Sequence, residues 1–275
     1  IHSMKLVFSA KICRRGNGKN AENSTPAKFS IKELKEMERF YTLPEDVGYP
    51  FLLVNRKNYR ILFKRRFEHA IVDSGVMDFV KKNVTDYPAG FLKSWSWKAE
   101  QLQQIWKEKI WFVIPDYPDD YNPGQFGDNI SKTLRNVEDF IKKFPNINWL
   151  PVIQSRYLNK FSFLEGASSL RQLIGNYSRV AIGTVCKCNN LDFIIYCSKV
   201  ARKFFPNSWV HAFGLTLPAL PKMANYIDSF DSMAWTFPRT SGGHSCKNRK
   251  ERIEYFNAYI EKINPFLNEF AVNGS

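Results

Sequence analysis

The chain has 275 residues, of which 44% are hydrophobic and 15% aromatic, so it can bury a large core and is not expected to be intrinsically disordered. Lys and Arg total 40 against 26 Asp and Glu, which gives a formal net charge of +14. Such a charge fits a nucleic-acid partner, because cationic side chains displace phosphate counterions, and it fits a Lys-rich surface equally well. No apolar stretch reaches the length of a membrane span.

Neither a signal peptide nor a metal-binding cysteine pattern is recognisable. We interpret Ile1-His2-Ser3, which precede Met4, as a cloning remnant. Five cysteines without an export signal favour a reducing cytoplasm in which they stay free thiols. The pair in Cys186-Lys187-Cys188 lacks the two-residue spacing of a zinc hook, so we expect no bound metal.

Short apolar runs alternate with longer amphipathic stretches along the chain. Eight of the runs are β-branched or aromatic and are bounded by Pro, Gly, Asp or Ser, which predicts buried parallel strands. The predicted strands are Met4–Ser9, Pro50–Val54, Ala70–Asp73, Ile110–Ile114, Trp149–Ile153, Arg179–Gly183, Trp209–Gly214 and Ser229–Ala234.

The stretches between these strands carry apolar residues at helical spacing. They predict helices at Ser30–Tyr41, Ala99–Lys107, Gly127–Phe144, Phe161–Gly175, Asn190–Phe205, Ala219–Tyr226 and Asn248–Phe270. Eight strands alternating with helices predict a single-domain (β/α)8 TIM barrel over residues 1–275, with a doubly wound open sheet as the alternative. No Gly-rich phosphate motif follows an early strand, which counts against a dinucleotide-binding fold.

Two carboxylates stand at the ends of apolar runs, and the carboxyl ends of parallel strands share one rim. Asp73 ends a predicted strand before Ser74-Gly75, where it could face a pocket or cap the following helix. Asp231 lies inside the apolar segment Phe230–Trp235, where an unpaired carboxylate would cost several kcal/mol. Such a group is either a nucleophile or a structural Asp held by backbone N–H groups.

Further strand ends carry groups that could bind a heterocycle. Asp116 is in a loop stiffened by flanking prolines and could accept from the N–H edge of a guanine-like base, whereas Asp119 and Asp120 are predicted to be solvated. Gln154 could both donate and accept, and Gly183-Thr184 could let a flat ring approach the backbone. The alternatives are polar surface for the Gln and an ordinary tight turn for the last segment.

Taken in order, these segments resemble the tRNA-guanine transglycosylase superfamily, whose members exchange guanine for 7-deazaguanine bases in nucleic acid. The matching segments, from about residue 70 to 240, are Asp73-Ser74-Gly75, Val152-Ile153-Gln154, Val180–Gly183, Trp209–Gly214 and Phe230-Asp231-Ser232. Each motif is weak alone, and their common order carries the resemblance. The segments Pro115–Pro118 and Phe230–Trp235 are most similar to the DNA-modifying branch from phages and bacteria.

The resemblance implies that Asp231 is the nucleophile that attacks C1′ of a deoxyribose and that Asp73 is the general acid/base. The groups implied to bind the base are Ser74, Asp116, Gln154, Gly183 and Thr184. The implied partners are double-stranded DNA with a flipped guanine and a free 7-deazaguanine base such as preQ0. No cofactor and no membrane are implied, and the location would be the cytoplasm of a bacterial or phage-infected cell.

Cationic side chains that hold flanking phosphates would offset the cost of flipping a base out of a duplex. The first candidates lie in the loop beyond the nucleophile segment: Arg239, Lys247, Arg249 and Lys250. A second candidate is a basic and aromatic patch of Lys93, Trp95, Trp97 and Lys98. Either group could instead be an ordinary solvated face.

The chain departs from the tRNA enzymes after the nucleophile segment. Those enzymes carry a CxCxxC…His zinc site there, whereas only His244 and Cys246 follow here, so we predict that the zinc-binding subdomain is absent. This difference favours DNA over tRNA as the substrate. The alternatives are the same exchange on tRNA, a catalytically inactive barrel that binds nucleic acid, and a sugar-processing glycosidase.

Overall fold

The computed structural model describes residues 5–9, 51–64, 67–232, 254 and 257–265, and it shows a parallel α/β fold. Its strands are β1 (Lys5–Ser9), β2 (Phe51–Asn55), β3 (His69–Asp73), β4 (Ile110–Val113), β5 (Trp149–Leu150), β6 (Val152–Ile153), β7 (Arg179–Ile182), β8 (Trp209–Ala212) and β9 (Ser229–Ser232). Its helices are α1 (Met77–Val80), α2 (Phe91–Trp106), α3 (Asn129–Lys143), α4 (Lys160–Ile174), α5 (Leu191–Phe204) and α6 (Leu220–Met223), and residues 257–265 are also helical.

The predicted strands are all found, and the run Trp149–Ile153 is divided into two at Pro151, which has no N–H to donate to a neighbouring strand. Two predicted helices differ in extent. The helix predicted at Ala99–Lys107 begins earlier, after Gly90, whose φ of 77° sets the entry into α2. The helix predicted at Ala219–Tyr226 is short, and it follows a 3₁₀ turn at Leu217–Ala219. The predicted helix at 30–41 lies outside the described residues.

All strands run parallel in one sheet with the order β5-β4-β3-β2-β1-β9-β8-β7-β6. The first and last strands of this order, β5 and β6, are consecutive in sequence with only Pro151 between them. On one side of this segment Phe112 pairs with Trp149, and on the other side Val152 pairs with Ala181. The two ends of the strand order are therefore formed by one continuous segment of the chain, Trp149–Ile153.

Alternate residues of the strands from β2 to β8 contribute to two separate apolar clusters, as period-2 strands with two buried faces do. The cluster that packs against the helices includes Val54, Val72, Phe112, Ile153, Val180 and Val210. The cluster on the opposite face includes Leu53, Ile71, Trp111, Val113, Leu150, Val152 and Ala181. Both faces of the sheet are thus buried.

A side-chain hydrogen bond caps the first turn of each of three long helices. The cap sets the residue at which the helix begins, and so the point at which the preceding loop ends. Asp128, Asn159 and Asn190 each accept a hydrogen bond from the backbone N–H three residues later, at the starts of α3, α4 and α5. Because every strand is parallel, these loops all leave from one edge of the sheet. We call the carboxyl ends of the strands, with the loops that follow them, the carboxyl rim.

Within the described ranges, no helix combines the length and the hydropathy that crossing a membrane would require.

Candidate active site

The carboxyl rim brings together three carboxylates from distant parts of the chain. Asp73 is the last residue of β3, Asp231 lies in β9, and Asp116 follows β4. The charge of Asp231 contributes to the raised pKa of Asp73, and the charge of Asp73 contributes to the raised pKa of Asp116. The three groups are therefore close enough to interact electrostatically.

Asp73 has the character of a group that can both give and take a proton. Burial raises its pKa from 3.8 to about 6, a hydrogen bond from the backbone of Gly75 opposes this, and the charge of Asp231 raises it further. Asn55 Nδ2, at the paired position of β2, donates to Asp73 Oδ2 over 3.3 Å. A carboxyl group that titrates near neutrality suits general acid/base catalysis. The contribution of Asn55 was missed in the sequence.

Asp231 is buried, with 6% of its surface exposed, and only one of its carboxylate oxygens is held. Oδ1 accepts from the backbone N–H of Gly214 over 2.9 Å and contacts His211 Nε2 at 3.3 Å. Oδ2 has no hydrogen-bond donor among the described residues. The carboxylate is thereby oriented through Oδ1, and no group in the described part of the chain engages Oδ2.

His211 contacts both the Asp231 carboxylate and the hydroxyl of Ser229. Its ring is fully buried, and Nδ1 lies 2.7 Å from Ser229 Oγ, the residue that it pairs with across β8 and β9. When Nε2–H donates to Asp231, Nδ1 of the neutral ring accepts from the Ser229 hydroxyl. Sequence reasoning assigned no role to His211. A lone His one residue before the end of β8, inside an apolar run, was the available signal.

A second buried network fixes the group predicted to bind the base. Gln154 Nε2 donates to Asp116 Oδ2 over 2.5 Å, and Thr184 Oγ1 donates to Gln154 Oε1 over 2.5 Å. Thr184 Oγ1 also accepts from the backbone N–H of Ser155 over 3.1 Å. These bonds set the orientation of the Gln154 amide, with its nitrogen toward the carboxylate. Gly183 is required here, because a Cβ at that position would lie 2.3 Å from Gln154 Nε2.

The backbone of Thr184 has a φ of 59°, in the left-handed region that β-branched residues rarely adopt. This strained conformation points the hydroxyl at both Gln154 and Ser155, which satisfies two buried groups at once. The orientation of Gln154 therefore depends on this hydroxyl.

For the base exchange that the sequence resemblance predicts, we expect Thr184→Val to raise the KM for the free base about 10-fold with little change in kcat, because it strips a hydrogen bond from Gln154 Oε1 and leaves the Ser155 N–H unpaired. Thr184→Ser keeps the hydroxyl and is the matched control. Steady-state kinetics with varied base concentration measure the effect. Equal KM values for the Val and Ser variants would show that the hydroxyl does not orient Gln154.

Asp116 is buried and carries a strongly perturbed carboxyl group. Burial raises its pKa from 3.8 to about 7, the charge of Asp73 adds to the increase, and the hydrogen bond from Gln154 opposes it. Its backbone carbonyl accepts from the Tyr87 hydroxyl over 2.7 Å, which anchors the loop. A ligand that presents two N–H donors to this carboxyl would favour its ionised form and lower its pKa.

This perturbation makes stability depend on pH. Between about pH 4 and pH 7 native Asp116 binds a proton that the unfolded chain has released, so the free energy of unfolding falls as pH rises through this window. The difference between 3.8 and about 7 corresponds to a loss of about 4 kcal/mol. In Asp116→Asn, the decrease in the free energy of unfolding that comes from Asp116 should be absent.

Urea unfolding at pH 4 and pH 8 measures this effect. Asp139→Asn, at a half-exposed position of α3 that pairs with Lys143, is the control and should keep the wild-type difference between the two pH values. The same pH dependence in wild type and in Asp116→Asn would contradict the assignment. The smaller contribution of Asp73, which has the same sign, remains in both proteins.

The prediction that Asp119 and Asp120 are solvated is wrong, because the loop after β4 folds across the rim. Asp119 is buried and accepts from the backbone N–H groups of Gly124 over 2.6 Å and Tyr157 over 2.8 Å. Asp120 is also buried, and its Oδ2 accepts from the backbone N–H of Lys187 over 3.0 Å. Both carboxylates tie this loop to the loops that follow β6 and β7.

Ser74 and Gly75 form the turn after Asp73. Ser74 is fully buried, and its Oγ makes no hydrogen bond to the described part of the chain. Gly75 has a φ of 82°, and a Cβ there would lie 2.9 Å from Arg56 Nε, so the turn requires glycine. Ser74 thus places a buried hydroxyl next to the Asp73 carboxyl group.

The predicted patch around Trp95 is not formed as expected. Trp95 is buried, and its Nε1 donates to the carbonyl of Val113 over 3.0 Å, because this tryptophan faces the sheet from α2. Trp97 is 63% exposed, and the Lys98 ammonium lies over the ring of Tyr59 at 4.6 Å. Stacking on a base could involve Trp97 but not Trp95. The other candidate phosphate ligands, Arg239, Lys247, Arg249 and Lys250, lie outside the described residues.

The described cysteines Cys186, Cys188 and Cys197 are free thiols, and the described part of the chain has no cluster of three or more side chains that could hold a metal ion. His244 and Cys246 are outside it. Cys186 lies near Asp231, and burial together with the charge of Asp231 raises the pKa of its thiol to about 12. It stays protonated at neutral pH and is not a competing nucleophile.

A comparison with known protein families finds none that matches the chain, and a comparison with curated proteins finds no match either.

Proposed function

We propose that this protein is a DNA-guanine transglycosylase, which exchanges guanine in DNA for a 7-deazaguanine base through a covalent aspartyl-glycosyl intermediate. The proposal rests on two carboxyl groups that interact electrostatically and have different surroundings. Asp231 is fixed through Oδ1, has no donor to Oδ2 within the described ranges, and interacts with Asp73, whose pKa of about 6 lies near neutral pH. Two carboxyl groups in contrasting environments are typical of retaining glycosyl transfer.

The first half-reaction removes guanine. Asp231 Oδ2 attacks C1′ of the flipped nucleotide, the bond between C1′ and the guanine nitrogen breaks, and the departing base takes the proton of Asp73. The glycosyl ester on Asp231 and the Asp73 carboxylate remain. In the second half-reaction Asp73 takes the ring N–H proton of the incoming base, the base nitrogen attacks C1′, and the ester bond to Asp231 breaks. Both carboxyl groups return to their starting protonation states.

The buried network supports recognition of a guanine-like base. Ionised Asp116 can accept from the ring N–H and the exocyclic amino group of the base, and the second N–H of Gln154 remains available for the base carbonyl. The glycine at position 183 leaves room for the Gln154 amide in this orientation. The amide is oriented before the base arrives, which lowers the entropic cost of binding.

We further propose that the sheet closes into a (β/α)8 barrel, with Trp149–Ile153 as one strand bent at Pro151. In an open sheet of this order β4 and β7 would be six strands apart, about 29 Å. The guanidinium of Arg179 in β7 instead lies 3.3 Å from the ring centre of Trp111 in β4. The loops after these strands are also joined, by the hydrogen bond from Lys187 to Asp120. Closure accounts for both contacts.

A polyanionic substrate fits the formal charge of +14. Extraction of a base costs a few kcal/mol, and phosphate contacts offset this cost. The sequence departs from the tRNA enzymes at their zinc site, and this departure favours DNA. Exchange on tRNA is the competing function.

The proposal is tested by incubating the protein with duplex DNA or tRNA and a series of 7-deazaguanine bases, followed by mass spectrometry of the nucleosides. We expect the modified nucleoside in the DNA arm and release of free guanine in equal amount. Incorporation in the tRNA arm alone would assign the competing function. No incorporation in either arm, with nucleic-acid binding retained, would favour an inactive binding protein and contradict the proposal.

His211 should act as a positioning residue for Asp231. His211→Leu removes the Nε2–H donor and should lower kcat about 10- to 100-fold with an unchanged KM, since a hydrogen bond to a charged group contributes about 1.5–3 kcal/mol. His211→Asn retains a donor and should recover part of kcat. Single-turnover guanine release measures the step directly. Equal rates for the Leu and Asn variants would contradict this role.

A further inference from the structure

A separate cavity of about 130 Å³ opens at the amino ends of the strands, opposite the carboxyl rim. The residues that line it include Phe51, His69, Ile71, Trp111, Arg179 and Trp209. Four of these are the first residues of β2, β3, β7 and β8, which places the cavity at the far edge of the sheet from Asp231. Aromatic rings form most of its wall.

Arg179 supplies the cationic group of this cavity. Its guanidinium lies 3.3 Å from the ring centre of Trp111 and 5.7 Å from that of Trp209, and the two ring centres are 5.4 Å apart, so the guanidinium stacks on Trp111 with Trp209 to one side. Within the described residues, Arg179 has neither a carboxylate partner nor a hydrogen-bond acceptor.

This arrangement leaves a half-buried positive charge without a carboxylate partner among the described residues. Burial lowers the pKa of Arg179 from 12.5 to about 10. Charges withdrawn from water are ordinarily paired in proteins, because the loss of hydration is costly. The described residues that line the cavity include no Asp or Glu.

The shape of the donors defines what could fill the cavity. A guanidinium held flat presents parallel N–H groups that match two oxygens of a carboxylate or a phosphate. The volume equals about four water molecules, enough for one small oxyanion and too little for a nucleotide. His69, whose ring stacks on Trp111 with centroids 4.7 Å apart, completes the wall.

We propose that this cavity is a binding site for a small oxyanion, a phosphate or a carboxylate, held by the Arg179 guanidinium where it stacks on Trp111 beside Trp209. The site is distinct from the carboxyl rim and does not depend on the proposed base exchange. A bound anion would neutralise this half-buried charge and so stabilise the fold.

The test is a titration of the whole protein with sodium phosphate or sodium acetate at constant ionic strength, with chloride as the reference ion. Tryptophan fluorescence and the melting temperature are the readouts, because two indoles line the site. We expect a saturable change, and the arm with the lower Kd identifies the class of oxyanion. Arg179→Gln should raise that Kd at least 10-fold, whereas Arg171→Gln, at an exposed guanidinium on α4, should leave it unchanged. An identical titration of wild type and Arg179→Gln, or no saturable response to either anion, would overturn the proposal.

A second measurement does not require the variant to fold. Crystals of the wild-type protein grown with arsenate, a phosphate analogue with an anomalous signal, should show arsenic within hydrogen-bonding distance of the Arg179 guanidinium. In the acetate arm, difference density for a carboxylate is expected at the same position. A cavity that holds only water at saturating concentrations of both anions would refute the site.

Discussion

Replacing Asp231 should abolish base exchange. We expect Asp231→Asn to lower the rate by at least about 10,000-fold, because an amide cannot form the glycosyl ester and no other described carboxylate is oriented in the same way. The fold should survive, because the Asn oxygen can still accept from the Gly214 N–H and from His211. Nucleoside mass spectrometry after incubation with DNA and base measures the loss.

Asp231→Ala is the companion variant, since an asparagine could deamidate and restore activity. It leaves the Gly214 N–H and His211 Nε2 without an acceptor, so it should also destabilise the fold by about 1–3 kcal/mol. Asp139→Asn on α3 is again the control and should exchange bases at the wild-type rate. Wild-type activity in both Asp231 variants would show that Asp231 is not the nucleophile.

Replacing Asp73 should separate binding from chemistry. We expect Asp73→Asn to bind DNA with wild-type affinity and to exchange bases about 100- to 10,000-fold more slowly, because the departing guanine loses its proton donor. The Asn side chain can still accept from Asn55, so the local structure should be retained. Fluorescence anisotropy of labelled DNA and single-turnover guanine release measure the two properties separately. A proportional loss of binding would show that Asp73 acts in recognition.

The two half-reactions should also differ in their response to pH. Guanine release needs protonated Asp73, so its rate should fall as pH rises through about 6, the raised pKa of that group. Attack by the incoming base needs the Asp73 carboxylate, so that rate should rise over the same range. Two half-reactions with the same pH dependence would contradict the acid/base role.

Much of the sheet follows from local sequence. Runs such as Ala70–Asp73 and Arg179–Gly183 are apolar, β-branched and ended by a turn residue, and the structure places strands at His69–Asp73 and Arg179–Ile182. The alternation of strands and helices predicts parallel strands, and parallel strands end at one edge. That rule is why Asp73 and Asp231, far apart in sequence, could be expected at the same rim.

The partners of those carboxylates could not be predicted. The contact of His211 with Asp231 depends on the register between β8 and β9, which pairs His211 with Ser229. The contact of Asn55 with Asp73 depends in the same way on β2 and β3. Register between strands joined by long connections has no local signal in a single sequence.

Burial of polar and aromatic residues on loops and helices was also beyond local reasoning. Asp119 and Asp120 have the composition of a solvated turn, yet the loop folds over the rim and backbone N–H groups donate to both oxygens of Asp119 and to Oδ2 of Asp120. Trp95 and Trp97 are two residues apart and so lie on different sides of α2, one in the core and one in solvent. The nearby Lys93 and Lys98 suggested that both tryptophans lie on the surface. The position of each tryptophan around the helix axis instead decides which one is exposed.

The most direct test of the account is to trap the covalent intermediate. The protein is incubated with a guanine-containing oligonucleotide in the absence of an incoming base, denatured, digested and analysed by mass spectrometry. The account predicts one depurinated strand attached per chain, on the peptide that contains Asp231, and no attachment in Asp231→Asn. Attachment to any other residue, or base exchange at full rate with no adduct on Asp231, would contradict it.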